Sequence, residues 1–264
     1  MPDLSTLKSQ ARSLLAPDGV MKVGLNVANF LLVHLPNPHE APKGVAPDLS
    51  RAIAQDLGVK LEFVPYATPG DMAAACHSQA WDMALFAVEP VREKDMDFTA
   101  AYLEIEATYL VPAGSDLQTV ADVDSQGVRI ALMHKSAYEL YLSRTLQKAS
   151  LVQAPSMDAS FEMFVAHKLE ALAGLVPKLL QEQAKLPGSR ILPGRFTAVQ
   201  QAIAIPKMTA ETESGGSIAQ DKTAIHMGTI TYLRQFVEAA KASGQVAQLI
   251  QKYDVEGVQV AMLA

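Results

Sequence analysis

Glu89 and Arg92 stand three residues apart in the stretch "VEPVREKDMDFTAAY", residues 88–102. A guanidinium presents a planar fork of donors that fits a carboxylate, and an ionised carboxylate only accepts. At this spacing in a turn the two are either a surface ion pair or the two ends of a grip on a polar molecule. Glu89 could receive a ligand amine, or it could tie down Arg92 and leave no anion site. Further polar groups fall where strands end. Asn26 and Asn29, with Phe30 beside them, close an apolar run, and Tyr66 closes another. Lys135, Ser136 and Tyr138 open a helical stretch, and Gln200 and Gln201 sit inside an apolar strand, where one of the two must face a site. Glu104 and Glu106 alternate with Leu103 and Ile105, a pattern that fits a solvent-facing strand side or a pair of site acids.

The whole chain bounds what these groups can do. It has 264 residues, 49% hydrophobic and 19% charged, with a net charge of -6. That is a globular composition with enough length for two lobes. No basic stripe is present to neutralise phosphates, so a nucleic-acid partner is not expected. The six histidines form no HExxH or His/Cys cluster, so neither a metal nor a cofactor is expected. Cys76 is the single cysteine, so no internal disulfide can form; in "MAAACHSQA" it reads as a buried thiol in a helix. No run approaches 18 apolar residues, so membrane insertion is not expected. The start "MPDLSTLKSQARSLLAPDGV" has no signal-like apolar core, which reads as a cytoplasmic chain, or a periplasmic one if a signal has been removed.

Periodicity supplies the elements that must position the polar groups. Leu4, Leu7, Ala11 and Leu14 or Leu15 make an amphipathic helix that ends at Pro17-Asp18-Gly19. A strand from Val20, a helix in "VAPDLSRAIAQDLG" stopped by Gly58, a strand in "VKLEFVPY", a short helix from Pro69 and a strand in "WDMALFAV" follow. Strands alternating with helices imply parallel pairing through crossovers. A second such series runs from about 113 to 197, and Phe196–Lys207 is again a strand. The polar segment 208–227, with Gly215-Gly216, reads as an exposed loop, and two helices close the chain. The expected division is an N-terminal helix over 1–19, one lobe over 20–109 and 200–264, and a second over 110–199. Crossover strands at Thr108–Pro112 and Thr197–Ile205 would join them.

The Gly-x-x-x-Asp-Leu start of the first long helix, its Leu-Gly-Val end, the stretch Pro-x-Arg-Glu-Lys-x-x-Asp-Phe and Ala-Asp-Val at 121–123 carry a resemblance. From about Val20 to the last helix, the chain resembles the family 3, amino-acid-type solute-binding proteins of ABC importers. The resemblance implies an α/β, two-lobed type II periplasmic-binding-protein fold. Its two crossover strands would act as a hinge, and the lobes would close on a small molecule.

The site carries over residue by residue. The family's carboxylate-gripping Arg matches Arg92, but the Thr three residues before it is Glu89, and an earlier hydroxyl is Ala87. Positions at the end of the first strand match Asn26 and Asn29, beside Phe30. The second aromatic wall falls near Ala67 and Thr68, next to Tyr66. The helix-start hydroxyl of the second lobe matches Ser136, preceded by Lys135 where the family has Gly, with Tyr138 and Gln200 lining the walls. The amine-binding Asp is replaced by Leu175. These departures imply a polar metabolite bearing an amine, a carboxylate or both. The expected role is a solute receptor, with an ABC permease as partner if the chain is exported. The alternative is a cytoplasmic lyase on the same fold, related to cyclohexadienyl dehydratase, with Glu89, and Glu104 or Glu106, as cleft acids or bases.

Overall fold

The computed structural model describes residues 2–35, 37, 40–208, 216–255 and 257–264, with backbone alone for 216–219. The chain divides into two units. Unit 1 holds residues 1–103, 200–255 and 260–264; unit 2 holds 104–199 and 256–259. The first passage between units falls at Leu103/Glu104, six residues before the boundary expected from the sequence. The strand that begins there is committed early to unit 2, where it pairs with two other strands over residues 107–111.

In unit 1, helix α1 (Leu4–Leu15) is capped by Asp3, whose carboxylate accepts from Thr6 N at 2.7 Å. Its apolar stripe of Leu7, Ala11 and Leu15 is fully buried. Strands β1 (Val20–Asn26), β2 (Lys60–Tyr66) and β3 (Met83–Ala87) lie parallel in the order β2-β1-β3. Helix α2 (Val45–Leu57) crosses from β1 to β2 and stops at Gly58, which adopts φ +64. That left-handed turn is cheap only for glycine. The short helix α3 (Pro69–Ala74) leads towards β3; it ends before Cys76, which lies in the following turn rather than in the helix expected for it. Cys76 is buried, and burial pushes its thiol pKa up. Strand β4 (Met96–Phe98) forms an antiparallel edge to the later strand that closes this sheet. The core around Met72, Trp81, Phe86, Met96 and Phe98 lies against β3.

Unit 2 repeats the pattern. Strand β5 (Leu103–Val111) runs into it, followed by a 3-10 turn at Val120–Val123 and β6 (Arg129–Met133). Helix α4 (Ala137–Thr145), β7 (Ser150–Ala154), α5 (Met157–Ala166), β8 (Ala171–Leu175), α6 (Val176–Lys185) and the short β9 (Arg190–Ile191) follow. The order is β7-β6-β8-β5, with β6 parallel to both neighbours and β5 antiparallel to β8. Its core gathers Leu110, Ala131, Phe164, Leu172 and Leu179.

Strand β10 (Thr197–Pro206) returns the chain to unit 1, where it lies antiparallel to β3. Helix α7 spans Gly216–Ala242, α8 Gln245–Lys252 and β11 Val258–Val260. The loop expected over 208–227 is therefore corrected: residues 216–227 are the first turns of α7, and 209–215 lie outside the described residues. Polar residues misled the reading because this part of α7 rests on only a few inward positions. His226 and Thr229 are buried, and Gly228 has no room for a Cβ against the side chain of Gln10 on α1.

Candidate functional site

The polar groups singled out in the sequence gather at strand ends, one set in each unit. In unit 1 the parallel strands finish level with one another. Asn26 pairs with Tyr66 in register, and the β1–β3 register of Val23 with Met83 brings Phe86 level with Asn26. The carboxyl ends of parallel strands are where α/β sheets bind ligands, because the loops diverge there. Asn26 Oδ1 accepts from Ala28 N at 3.2 Å and so shapes the turn that follows β1. Within that turn Asn29 N donates to Asn26 O, and Asn29 O accepts from Leu32 N and Val33 N. Asn29 is 7% exposed, and its Oδ1 is buried without a hydrogen-bond partner. An unmet buried acceptor costs about 1–3 kcal/mol and calls for a reason. Phe30 stands beside it, 38% exposed. Tyr66 O accepts from Val27 N at 3.0 Å, and burial pushes the Tyr66 hydroxyl pKa up.

Beyond β3 the chain turns once on itself, with Arg92 N and Glu93 N both donating to Glu89 O at 2.8 and 3.0 Å. That turn buries both members of the opening pair, Glu89 at 7% and Arg92 at 4% exposed. Arg92 points into the protein: Nη1 donates to Ala87 O at 2.7 Å, and the guanidinium lies 5.3 Å from the centre of the Phe86 ring. Burial pulls the Arg92 pKa down to about 10, and the Glu89 charge opposes that fall. This is a buried charge pair, not a solvated surface one. Next to it, Gln201 pairs with Ala87 across β10–β3, and Gln200 O accepts from Val88 N at 2.9 Å. Gln201 is buried, whereas the Gln200 side chain is exposed.

In unit 2, β6 ends in a sharp turn at Lys135, which takes φ +56. The Lys135 side chain is exposed. Ser136 caps α4: its Oγ accepts from Glu139 N at 3.1 Å and donates to Met133 O at 2.8 Å. Glu139 was not singled out in the sequence, yet its buried carboxylate accepts from Lys135 N, Ser143 Oγ and Gln153 Nε2 at 3.1, 2.8 and 3.0 Å. The signal for it was the Ser-x-x-Glu spacing of a capping box. Tyr138 is buried, and burial pushes its hydroxyl pKa up to about 12. Leu175 ends β8 and precedes α6 with no side-chain cap. Glu106 lies next to Ala107, which pairs with Leu175 across β5–β8, and forms a half-exposed pair with Arg195 at 3.1 Å. Glu170, at the other end of β8, forks onto Arg129 and is structural. Among the described residues, no group of three His, Cys, Asp or Glu side chains could hold a metal ion.

The model of the bacterial extracellular solute-binding proteins, family 3, matches residues 22–256. No curated protein matches the chain. Among solved structures, an ancestral amino acid-binding protein described as a precursor of cyclohexadienyl dehydratase is 21% identical, with a TM-score of 0.69, over 94% of this chain and 98% of that one. An amino acid ABC transporter substrate-binding protein from Streptococcus pneumoniae, bound to L-arginine, is also 21% identical, with a TM-score of 0.69, over 90% and 96%. A mutant of the protein ArgBP from T. maritima is 19% identical, with a TM-score of 0.67, over 96% and 99%. At these identities the likeness is one of fold, the type II periplasmic-binding-protein fold.

Proposed function

Because the chain belongs to the bacterial extracellular solute-binding proteins, family 3, and so binds a small molecule, we propose that its ligand is a polar metabolite recognised through an amine at the strand-end edge of unit 1. The observation that carries this is the turn after β3. Arg92, the position that resembles the family's carboxylate grip, spends its Nη1 donor on Ala87 O, while a carboxylate, Glu89, stands where the resemblance implies a threonine. Asn29 adds a buried acceptor without a partner. Glu89 also neutralises Arg92, so what it offers a ligand is the acceptor capacity of its two oxygens beyond that pairing. Together with Asn29 Oδ1 this favours a donor group, an ammonium or guanidinium. Ser136, Lys135 and Tyr138 stand at the strand-end edge of unit 2. Phe30, Tyr66 and Gln200 border the unit 1 edge, and Glu106, paired with Arg195, borders the unit 2 edge beside Leu175.

The test is a thermal-shift screen of amines, amino acids and carboxylates, with L-arginine as the first probe. A ligand that binds only the folded state raises the melting temperature. An amine-bearing hit that Glu89→Gln weakens about tenfold or more supports the reading. Hits confined to carboxylates lacking an amine would sink it. Recovery of the hit unchanged separates a receptor from a lyase; the neighbour whose description mentions the dehydratase is itself an amino acid-binding precursor, which favours binding. As a receptor the chain would deliver its ligand to an ABC permease outside the cytoplasmic membrane. Cell fractionation separates that from the cytoplasmic role read from the sequence. No helix among the described residues is long and apolar enough to cross a membrane.

A further inference from the structure

Strands β5 and β10 are the two connections that the sequence leads one to expect. The segment after α8 makes a third: the chain enters unit 2 at 256–259 and returns to unit 1 for 260–264. Both ends of this segment are held. In unit 2, β11 pairs with β5. Gly257, at φ +67, is pressed onto Pro177, and an added Cβ would lie 2.8 Å from its Cγ. Pro177 is two residues beyond Leu175, at the start of α6. In unit 1, Ala261 N donates to Tyr102 O at 3.3 Å, and Tyr102 N donates to Gln201 O at 2.8 Å. Tyr102 thus sits one residue before the first passage and is bonded to residues just after two others. Further along, Lys241 donates from Nζ to Met262 O at 2.7 Å and pairs with Glu238 at 2.7 Å, while Glu238 Oε2 accepts from Ala264 N at 3.2 Å.

The Lys241 side chain is 1% exposed. Burying an ammonium is costly unless it is paired and hydrogen-bonded. A helix that needed only to pack would place an apolar residue there. We propose that residues 257–264 are a strap, a third chain connection that limits how far the two units move. The strap restrains motion with or without ligand, so it is testable without one.

The experiment places spin labels at Lys60→Cys in unit 1 and Lys168→Cys in unit 2, both exposed, and leaves the buried Cys76 in place. Interlabel distance distributions are then recorded for the otherwise unaltered chain and with Ala261→Pro, Gly257→Ala or Lys241→Met added. Ala261→Pro removes the donor to Tyr102, Gly257→Ala forces the tail off Pro177, and Lys241→Met keeps volume while releasing Met262. The strap requires a broader distribution in each variant, with far-ultraviolet circular dichroism unchanged. Equal widths in all three overturn it. If the variants do not fold, amide exchange in the unaltered protein decides. Slowing of the Ala261 amide on the order of a hundredfold over an unstructured peptide supports the strap, and exchange at the unstructured rate overturns it. Broadening without any ligand found by the metabolite screen would leave the strap standing and count against the amine reading alone.

Discussion

The two strand-end edges solve the same local problem in different ways. In unit 1 the turn after β3 encloses a full charge pair, Glu89 and Arg92, and the turn after β1 encloses an unmet acceptor on Asn29. In unit 2 the turn after β6 leaves its lysine in solvent, and the hydroxyl of Ser136 is satisfied twice by its own helix start. One edge encloses an opposite-charge pair and an unmet acceptor; the other carries its strain in the backbone, at Lys135, with the carboxylate of Glu139 and the hydroxyl of Ser136 satisfied. Incompletely satisfied polar groups cluster where a protein must respond to something. On the proposed amine recognition, discrimination falls to unit 1. The same contrast recurs at the opposite ends of the strands. Asp82, ahead of β3, accepts from Lys22 N at 2.7 Å, and burial pushes its pKa up. Asp124, ahead of β6, is held low by the N–H groups of Ala149, Lys148 and Gln147.

The largest effect should follow Arg92→Met. It leaves Glu89 buried without its counter-charge and Ala87 O without its donor, a loss of about 3–5 kcal/mol in urea unfolding. A loss under about 1 kcal/mol would mean that unit 1 does not depend on the pair, and the contrast would collapse. Ser136→Ala removes a helix cap, so about 1 kcal/mol should go, with ligand affinity falling less than in Glu89→Gln. If Ser136→Ala costs more affinity than Glu89→Gln, discrimination belongs to unit 2.

The two aspartates give effects of opposite sign. Asp124 has a depressed folded pKa, so its stabilisation is full above the ordinary aspartate range and is lost as pH falls through the folded value. Asp124→Asn should lower the melting temperature at pH 7, with the loss shrinking as pH falls below the ordinary aspartate range. Asp82 has a raised folded pKa, so the fold favours its protonated form and gains stability as pH falls into that range. Asp82→Asn keeps an acceptor for Lys22 N and removes a half-buried charge. It should hold or raise the melting temperature at pH 7, with the benefit fading in acid. Matching pH profiles for the two variants would erase this part of the contrast. The smallest effect belongs to Glu106→Gln. Its exposed pair with Arg195 should be worth under about 1 kcal/mol, with ligand affinity unmoved.

Much of this was legible in the sequence wherever one short window holds the whole cause. Leu7, Ala11 and Leu15 specify the buried stripe of α1, Gly58 the end of α2, and Ser136 the start of α4. The alternation in "VKLEFVPY" marks a strand, although β2 is buried on neither face as completely as the pattern suggests. What stayed hidden depends on neighbours far along the chain. The direction of Arg92 is set by Phe86 and by a carbonyl at the end of β3, neither of which a three-residue spacing with Glu89 can report. Asn29 became an orphan only when its turn was enclosed. The first turns of α7 lack an apolar period because one helix, α1, lies along them at a glycine. The third connection was invisible because β11 is three residues long and its anchors are main-chain groups and a buried lysine, for which "VEGVQVAMLA" gives no pattern.

Trp81 is the chain's one tryptophan. It is buried, its Nε1 donates to Met72 O at 3.1 Å, and its ring meets Phe86 edge-on at 6.1 Å. Phe86 in turn is the ring beneath the Arg92 guanidinium. The molecule therefore carries a built-in optical gauge. Any event that shifts Arg92 is one ring away from the only indole in the chain. Its emission should follow occupancy without a dye.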